Sequence, residues 1–326
     1  MKKIGTEKLK WGVAGCGRYA DSTFIPTVHL TRRSKMQAVY SSSNERAADV
    51  AQRHGIPLYF SDFDEFLKSG IDAVYISSAN ADHYKQVIKA AEAGKNILCE
   101  KPLALNSAEA EEMNRICSKN NVKLAVNYVL RFHPLVRKAK EFIDNEMIGK
   151  FISAAANFNI EIEPSSNFRY SKTGGGGALM DLGTHMIDLL RYFGGEIVKV
   201  SGVMDSMIYK SEVDEFASAI VKFQNGGYGY FNVSFNCKKG FNRIEILGHK
   251  GAISIDKMIA AKYSTSKLTI LLEGEAKKSF RKRANRQLQL LKSVQRSFLR
   301  NEEPAVNGND GLINLKIMEE LIKQCR

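Results

Sequence analysis

Gly12-Val13-Ala14-Gly15-Cys16-Gly17-Arg18-Tyr19-Ala20 closes a short apolar run that opens at Trp11 and leads into a helical pattern. It contains Gly-x-Gly-x-x-Ala at a strand-to-helix turn. There Gly15 permits the tight turn, Gly17 lets backbone approach a pyrophosphate, and Ala20 keeps helix and strand close. The helix start offers free N–H groups and the positive end of its dipole to phosphate. Glycines also mark ordinary loops, so the context carries the reading.

That context is an alternating chain. From Lys10 to Asn127 the apolar runs Trp11 to Ala14, Met36 to Ser41, Ala73 to Ser77, Asn96 to Cys99 and Val122 to Val126 are separated by helical patterns. Two of these helices, Glu45 to His54 and His83 to Ala93, end on Gly55 and Gly94, and a third spans Ser107 to Lys119. The pattern predicts an α/β Rossmann domain with a parallel doubly wound sheet over residues 1–130. Residues 131–326 change character, with longer alternating runs at Phe151 to Ile162, Val198 to Tyr209, Ala217 to Phe223, Tyr228 to Phe235, Arg243 to Leu247 and Ala252 to Ile255. Asn225-Gly226 signals a hairpin, and a helix from Gly177 to Phe193 follows the run Gly174-Gly175-Gly176-Gly177. An α+β domain with a mostly antiparallel, open-faced sheet is expected there.

Composition agrees with two domains at 326 residues. No stretch approaches the roughly 18 consecutive apolar residues of a membrane-spanning helix. Met1-Lys2-Lys3-Ile4 opens like an export signal, but Glu7, Lys8 and Lys10 interrupt any apolar segment. The five cysteines lie far apart without a Cys-x-x-Cys, which fits reduced thiols and a cytoplasmic location. The formal charge of +13 is concentrated in a tract from Arg281-Lys282-Arg283 through Arg286, Lys292, Arg296 and Arg300. Leu288, Leu291, Val294 and Phe298 recur there at helical spacing, so the basic residues read as the wet side of an amphipathic helix before they read as a polyanion site. Neither a nucleic-acid nor a membrane partner is expected.

The second strand ends in Tyr40-Ser41-Ser42-Ser43-Asn44-Glu45-Arg46. Sites for NAD carry a carboxylate at this tip to hold the ribose 2′-hydroxyl. Here the hydroxyls of Ser41 and Ser42 and the Arg46 guanidinium suit a 2′-phosphate, so NADP(H) is preferred and NAD(H) is the second choice. The competing reading has Glu45 or Asn44 turned back to the ribose. After the Ala73 to Ser78 run, Asn80 and His83 are placed along the cofactor crevice.

Several motifs resemble the glucose-fructose oxidoreductase and inositol dehydrogenase family, known as Gfo/Idh/MocA, over nearly the whole chain. Ala93-Gly94-Lys95-Asn96-Ile97-Leu98-Cys99-Glu100-Lys101-Pro102 resembles its A-G-K-x-x-x-x-E-K-P segment, and Asn127 with Arg131-Phe132-His133-Pro134 its N-x-R-F-x-P region. Phe168-Arg169 stands where a Trp-Arg pair is common, and Gly175 to Asp188 is similar to its G-G-G-x-x-x-D-x-G-x-H-x-x-D helix. The resemblance implies hydride transfer between a nicotinamide and a sugar, anhydrosugar, nucleotide-sugar or cyclitol, with Lys101, Asp181 and His185 at the reacting carbon. The Tyr40 to Arg46 stretch also resembles the family's NADPH-dependent anhydrofructose reductases. The candidate cofactor-binding set is Gly15, Gly17, Arg18, Tyr19, Ser41, Ser42, Arg46, Ser78, Asn80, His83, Glu100, Lys101, Asn127 and Arg169; the substrate set is Lys101, Arg131, Asp181 and His185. By the same resemblance the open sheet face implies a homo-oligomer, dimer or tetramer.

The chemistry suits those residues. Asp181, His185 and Asp188 at i, i+4 and i+7 share one helical face. His185 titrates in the range useful for an acid/base, Lys101 can steady a developing alkoxide, and Asp181 can orient a cation or bind a hydroxyl. Either Lys101 or His185 can move the proton. The same three helix residues could hold zinc or manganese, but no second ligand cluster joins them and none is required, so no metal is expected. A non-catalytic dinucleotide sensor is the alternative function; it has no use for an acid/base set.

Overall fold

The computed structural model describes residues 8–164, 168–240, 242–258 and 265–325. The charged opening through Glu7, read above against an export signal, lies outside the described residues. The chain divides into two compact units, Met1–Asn127 with Gln287–Ile313, and Tyr128–Arg286 with Asn314–Arg326. Among the described residues no helix is long and apolar enough to cross a membrane.

The first unit is built on a parallel sheet of β1 (Leu9–Ala14), β2 (Ser34–Tyr40), β3 (Leu58–Phe60), β4 (Ala73–Ile76), β5 (Asn96–Cys99) and β6 (Leu124–Val126), ordered β3-β2-β1-β4-β5-β6. Near-continuous apolar strands are what a sheet covered on both faces requires. The crossovers are α1 (Ile25–His29), α2 (Asn44–His54), α3 (Phe63–Leu67), α4 (Asn80–Glu92) and α5 (Ser107–Lys119). Ser43, Asp62 and Asn106 cap α2, α3 and α5 by accepting N–H bonds from Arg46, Glu65 and Glu109. Trp11, fully buried, donates Nε1–H to Ser34 Oγ at 3.1 Å and packs on Phe24 and Phe298. Phe298 belongs to the helix Arg286–Arg300, which brings its Leu290, Leu291 and Val294 into the same core.

The second unit carries α6 (Pro134–Asp144), α7 (Thr184–Gly194) and an eight-stranded sheet ordered β14-β13-β12-β11-β7-β10-β9-β8. Its strands are β7 (Phe151–Asn159), β8 (Ile197–Asp205), β9 (Phe216–Phe223), β10 (Tyr228–Ser234), β11 (Arg243–Gly248), β12 (Gly251–Asp256), β13 (Ser266–Leu272) and β14 (Lys278–Lys282). All pairings are antiparallel except β7 with β10. One face packs against α6 and α7. On the other face lie Val203, Ile220, Tyr228, Tyr230, Leu247 and Leu271, each 43–63% exposed. The helix Arg286–Arg300 is α8, and α9 is Gly308–Gln324.

Several local expectations need correction. Arg281 and Lys282 lie in β14, not on α8. The run expected through Tyr209 stops at Asp205, because Ser206, Ile208, Tyr209 and Ser211 turn to donate hydrogen bonds to the buried Glu215 carboxylate. These bonds hold Glu215 down at about pKa 2 against the upward push of its burial. In the β9–β10 hairpin the left-handed residues are Gly226 (φ +88°) and Gly227 (φ +83°), since glycine takes positive φ without a Cβ clash, and Asn225 is not among them.

Candidate functional site

In the first unit the predicted cofactor residues gather at the carboxyl edge of the sheet, where doubly wound folds bind ligands. Gly15 and Gly17 follow β1, Ser41 and Ser42 follow β2, Ser78 follows β4, Glu100 and Lys101 follow β5, and Asn127 follows β6. Gly15 has φ +96°, and an added Cβ would stand 2.5 Å from Ser78 N. The fold itself therefore demands glycine there. A Cβ on Gly17 would meet nothing closer than Ser77 O at 4.0 Å. The protein has room for a side chain at Gly17 and carries none, which fits a cradle that a pyrophosphate fills. Cys16 between them donates to Tyr40 O, and burial pushes its thiol up to about 11, which disfavours the thiolate.

At the β2 tip Ser43 Oγ donates to Glu45 Oε2 at 2.7 Å. The Glu45 carboxylate thus engages the helix-cap hydroxyl, and Ser42, Asn44, Glu45 and Arg46 are all exposed. Ser41 is buried and its Oγ accepts from Ser43 N at 3.3 Å. Ser78 Oγ donates to Gln86 Oε1 at 2.7 Å. Asn80 is the first residue of α4, and His83 is fully buried, its Nδ1–H directed at Pro102 O at 3.0 Å. Burial lowers the His83 pKa, so its neutral ring holds the Lys101-Pro102 segment.

Glu100 receives two hydrogen bonds on one oxygen, from Tyr75 OH and Asn127 Nδ2, and Lys101 N–H points at the other. Burial raises its pKa while Tyr75, the Lys101 charge and Asn127 pull it down. Asn127 and Gln287 exchange amide hydrogen bonds, and Tyr19 OH donates to Gln287 Oε1 at 2.9 Å. One chain of polar groups therefore links Tyr19, beside the glycine turn, to the carboxylate that precedes Lys101. Gln287 and Tyr75 escaped sequence reasoning. Gln287 lies 160 residues beyond Asn127, and nothing local marks it.

In the second unit the glycine run shapes the other candidate residues. A Cβ on Gly176 would sit 2.3 Å from Arg169 O, and one on Gly177 (φ +109°) would sit 2.2 Å from Asp214 Oδ1. The glycines let this turn lie against Arg169, whose Nε donates to Asp181 Oδ2 at 2.7 Å. The helix opens as a π-turn over Leu179–Gly183 before becoming α7; such turns recur at functional sites. Asp214 caps this start by accepting from Leu179 N at 2.7 Å, and burial raises its pKa to about 6. Sequence gave no sign of this cap, since the partner lies 35 residues away.

His185 is half-buried between Tyr128 and Phe158, with ring centroids at 6.2 and 6.5 Å. Tyr128 OH is 2.9 Å from Thr184 Oγ1. Arg131 grips Asp188, 1% exposed, through Nε at 2.9 Å and Nη2 at 2.6 Å, a bidentate geometry that fixes both groups. The two helix carboxylates are thus engaged by different arginines, and among the described residues no cluster of three metal-type ligands occurs.

Residues 9–128 match the family described as an oxidoreductase family with an NAD-binding Rossmann fold, and residues 136–254 match the GFO/IDH/MocA C-terminal domain. A trans-1,2-dihydrobenzene-1,2-diol dehydrogenase of Xenopus laevis is 30% identical over 76% of this chain and 74% of its own length. A myo-inositol 2-dehydrogenase of Thermotoga maritima is 27% identical over 94% and 93%. Among solved structures, the aldose-aldose oxidoreductase of Caulobacter crescentus is 26% identical and superposes with a TM-score of 0.90 over 98% of both chains. With the glycine turn, the E-K-P segment and the Asp181 and His185 helix in place, the chain belongs to the GFO/IDH/MocA family of NAD(P)-binding sugar and cyclitol oxidoreductases.

Proposed function

We propose that the chain is an NADP(H)-dependent oxidoreductase interconverting a carbonyl and a secondary alcohol on a sugar, anhydrosugar, nucleotide-sugar or cyclitol. The observation that carries the cofactor choice is the β2 tip, where Glu45 is held by Ser43 and the exposed Ser42 and Arg46 suit a 2′-phosphate. NAD(H) is the second choice. When bound, the nicotinamide accepts or supplies the hydride. Gly15, Gly17, Arg18, Tyr19, Ser41, Ser42, Arg46, Ser78 and Asn80 hold the dinucleotide; His83, Glu100 and Asn127 act by positioning the strand ends.

Lys101 steadies the negative charge that develops on the substrate oxygen, and His185 or Lys101 takes the hydroxyl proton during oxidation and returns it during reduction. Asp181, fixed by Arg169, binds a substrate hydroxyl. Arg131 supports the substrate side through Asp188. No metal enters the reaction. We assign the protein to the cytoplasm and to a homo-oligomer, dimer or tetramer, formed through the open sheet face.

The test measures cofactor oxidation with a panel of keto-sugars and cyclitol ketones, for wild type, Lys101→Ala and His185→Ala. Loss of kcat by about 100-fold or more in both variants, with NADPH affinity retained, is expected. Unchanged turnover in both would overturn the site assignment, and tighter binding of NADH than NADPH would overturn the cofactor choice.

A further inference from the structure

The basic tract of α8 is not used by the chemistry above, and it contains a feature that a solvated helix face does not need. Lys292, Arg296 and Arg300 recur at i, i+4 and i+8, where like charges destabilise a helix. They line an open pocket of about 210 Å³ together with Gln295, Leu299 and Arg33, the residue just before β2. No carboxylate is part of that lining. Arg300 lies 3.7 Å from Glu302, but no ion pair engages Arg33, Lys292 or Arg296 among the described residues.

Gln295, 6% exposed, is the second observation. Its Nε2 is buried without a hydrogen-bond partner among the described residues. A buried donor left unmade is costly. Gln295 is itself part of the pocket lining, and its amide N–H can donate to an acceptor lodged there. The last carbonyls of α8 offset part of the local positive charge, and four cations outweigh them.

The pocket is also remote from the dinucleotide turn. Arg33 precedes the first residue of β2, whereas Ser41 and Ser42 follow its last, and seven residues of strand span about 20 Å. A pocket this small is below the usual range for whole drug-sized ligands, about 300–1,000 Å³.

We propose that Arg33, Lys292, Arg296, Arg300 and the Gln295 amide form a second anion site, which takes the phosphoryl group of a small soluble phosphate compound. Arginine forks from two separate segments match tetrahedral oxyanions bidentately. The inference stands apart from the assigned reaction and cofactor.

The experiment titrates the full-length protein with inorganic phosphate against sodium chloride of equal ionic strength, reading thermal shift and calorimetry. Saturable binding in wild type is expected, weakened about tenfold or more in Arg33→Ala/Arg296→Ala and measurably in Gln295→Leu, with NADPH affinity unchanged in both. Equal phosphate affinity in wild type and both variants, a shift that tracks ionic strength without saturating, or displacement of phosphate by stoichiometric NADPH would each overturn it. Two further arms use vesicles of phosphatidylglycerol and phosphatidylcholine, and a single-stranded oligonucleotide. Variant-sensitive binding to either one, without saturable inorganic phosphate binding, would overturn the small-ligand assignment.

Discussion

An added methyl at Gly15 collides with the Ser78 backbone, whereas one at Gly17 enters free space. The two glycines therefore separate folding from binding. Gly15→Ala forces a Cβ onto φ +96° and onto backbone atoms that cannot yield, so a loss of about 2 kcal/mol or more in urea unfolding is expected. Gly17→Ala should leave the unfolding free energy in urea within about 0.5 kcal/mol of wild type and weaken NADPH binding about tenfold or more. Normal cofactor affinity in Gly17→Ala would remove the argument that a pyrophosphate fills the space. At this scale sequence was informative where one residue type implies one physical need, as with both glycines and the Lys101 segment. It was silent on Gln287, Tyr75 and Asp214, since a hydrogen bond spanning tens or hundreds of residues leaves no mark in local spacing.

Among the elements, α6 depends on an imidazole cap. His133 Nδ1 accepts from Leu135 N at 3.1 Å, which requires an unprotonated nitrogen, and burial together with the Arg286 charge lowers its pKa to about 4. The unfolded chain takes up this proton near its ordinary value of about 6.5, so stability present above that pH is lost as pH falls toward 4. The full effect is about 3 kcal/mol. Asp214 runs the other way: its raised value favours the folded state as pH falls from about 6. Comparing His133→Asn with wild type cancels that contribution. Between pH 7 and pH 4 wild type should lose about 2–3 kcal/mol more in urea unfolding than His133→Asn, which keeps a capping group without a titratable ring. Equal losses would show that the cap does not titrate. Element types were legible where periodicity was long, as in α2, α4 and α5. The three residues of β3 are too few to show a period, and β14 escaped because charged residues crowd the sequence after Leu272. The π-turn of Leu179–Gly183 has the same apolar content as an α-helix and could not be distinguished from one.

For the molecule as a whole, the open face of the second unit's sheet sets the expected assembly. Ile220 and Tyr230 are directly paired across β9 and β10, at 63% and 43% exposure. An exposed apolar face of this kind fits the proposed contact between copies of the chain. Ile220→Lys/Tyr230→Glu is expected to reduce the mass found by light scattering from that of an oligomer to that of one chain, about 36 kDa, without changing the circular dichroism spectrum. An unaltered mass would move the interface elsewhere. The two-part architecture was readable from the change in strand pattern after Asn127, but the return of Gln287–Ile313 to the first unit was not, because amphipathic helices look alike whichever sheet they cover. That return has a bearing on biosynthesis. Trp11 needs Phe298 beside it, and Val126 N–H needs the Val306 carbonyl. A ribosome must therefore deliver the whole intervening 128–286 before the nucleotide-binding half is complete, so the usual order of one finished domain followed by the next cannot apply. An early stop after residue 127 leaves a sheet without its closing helix, a species that chaperones or proteases would meet first.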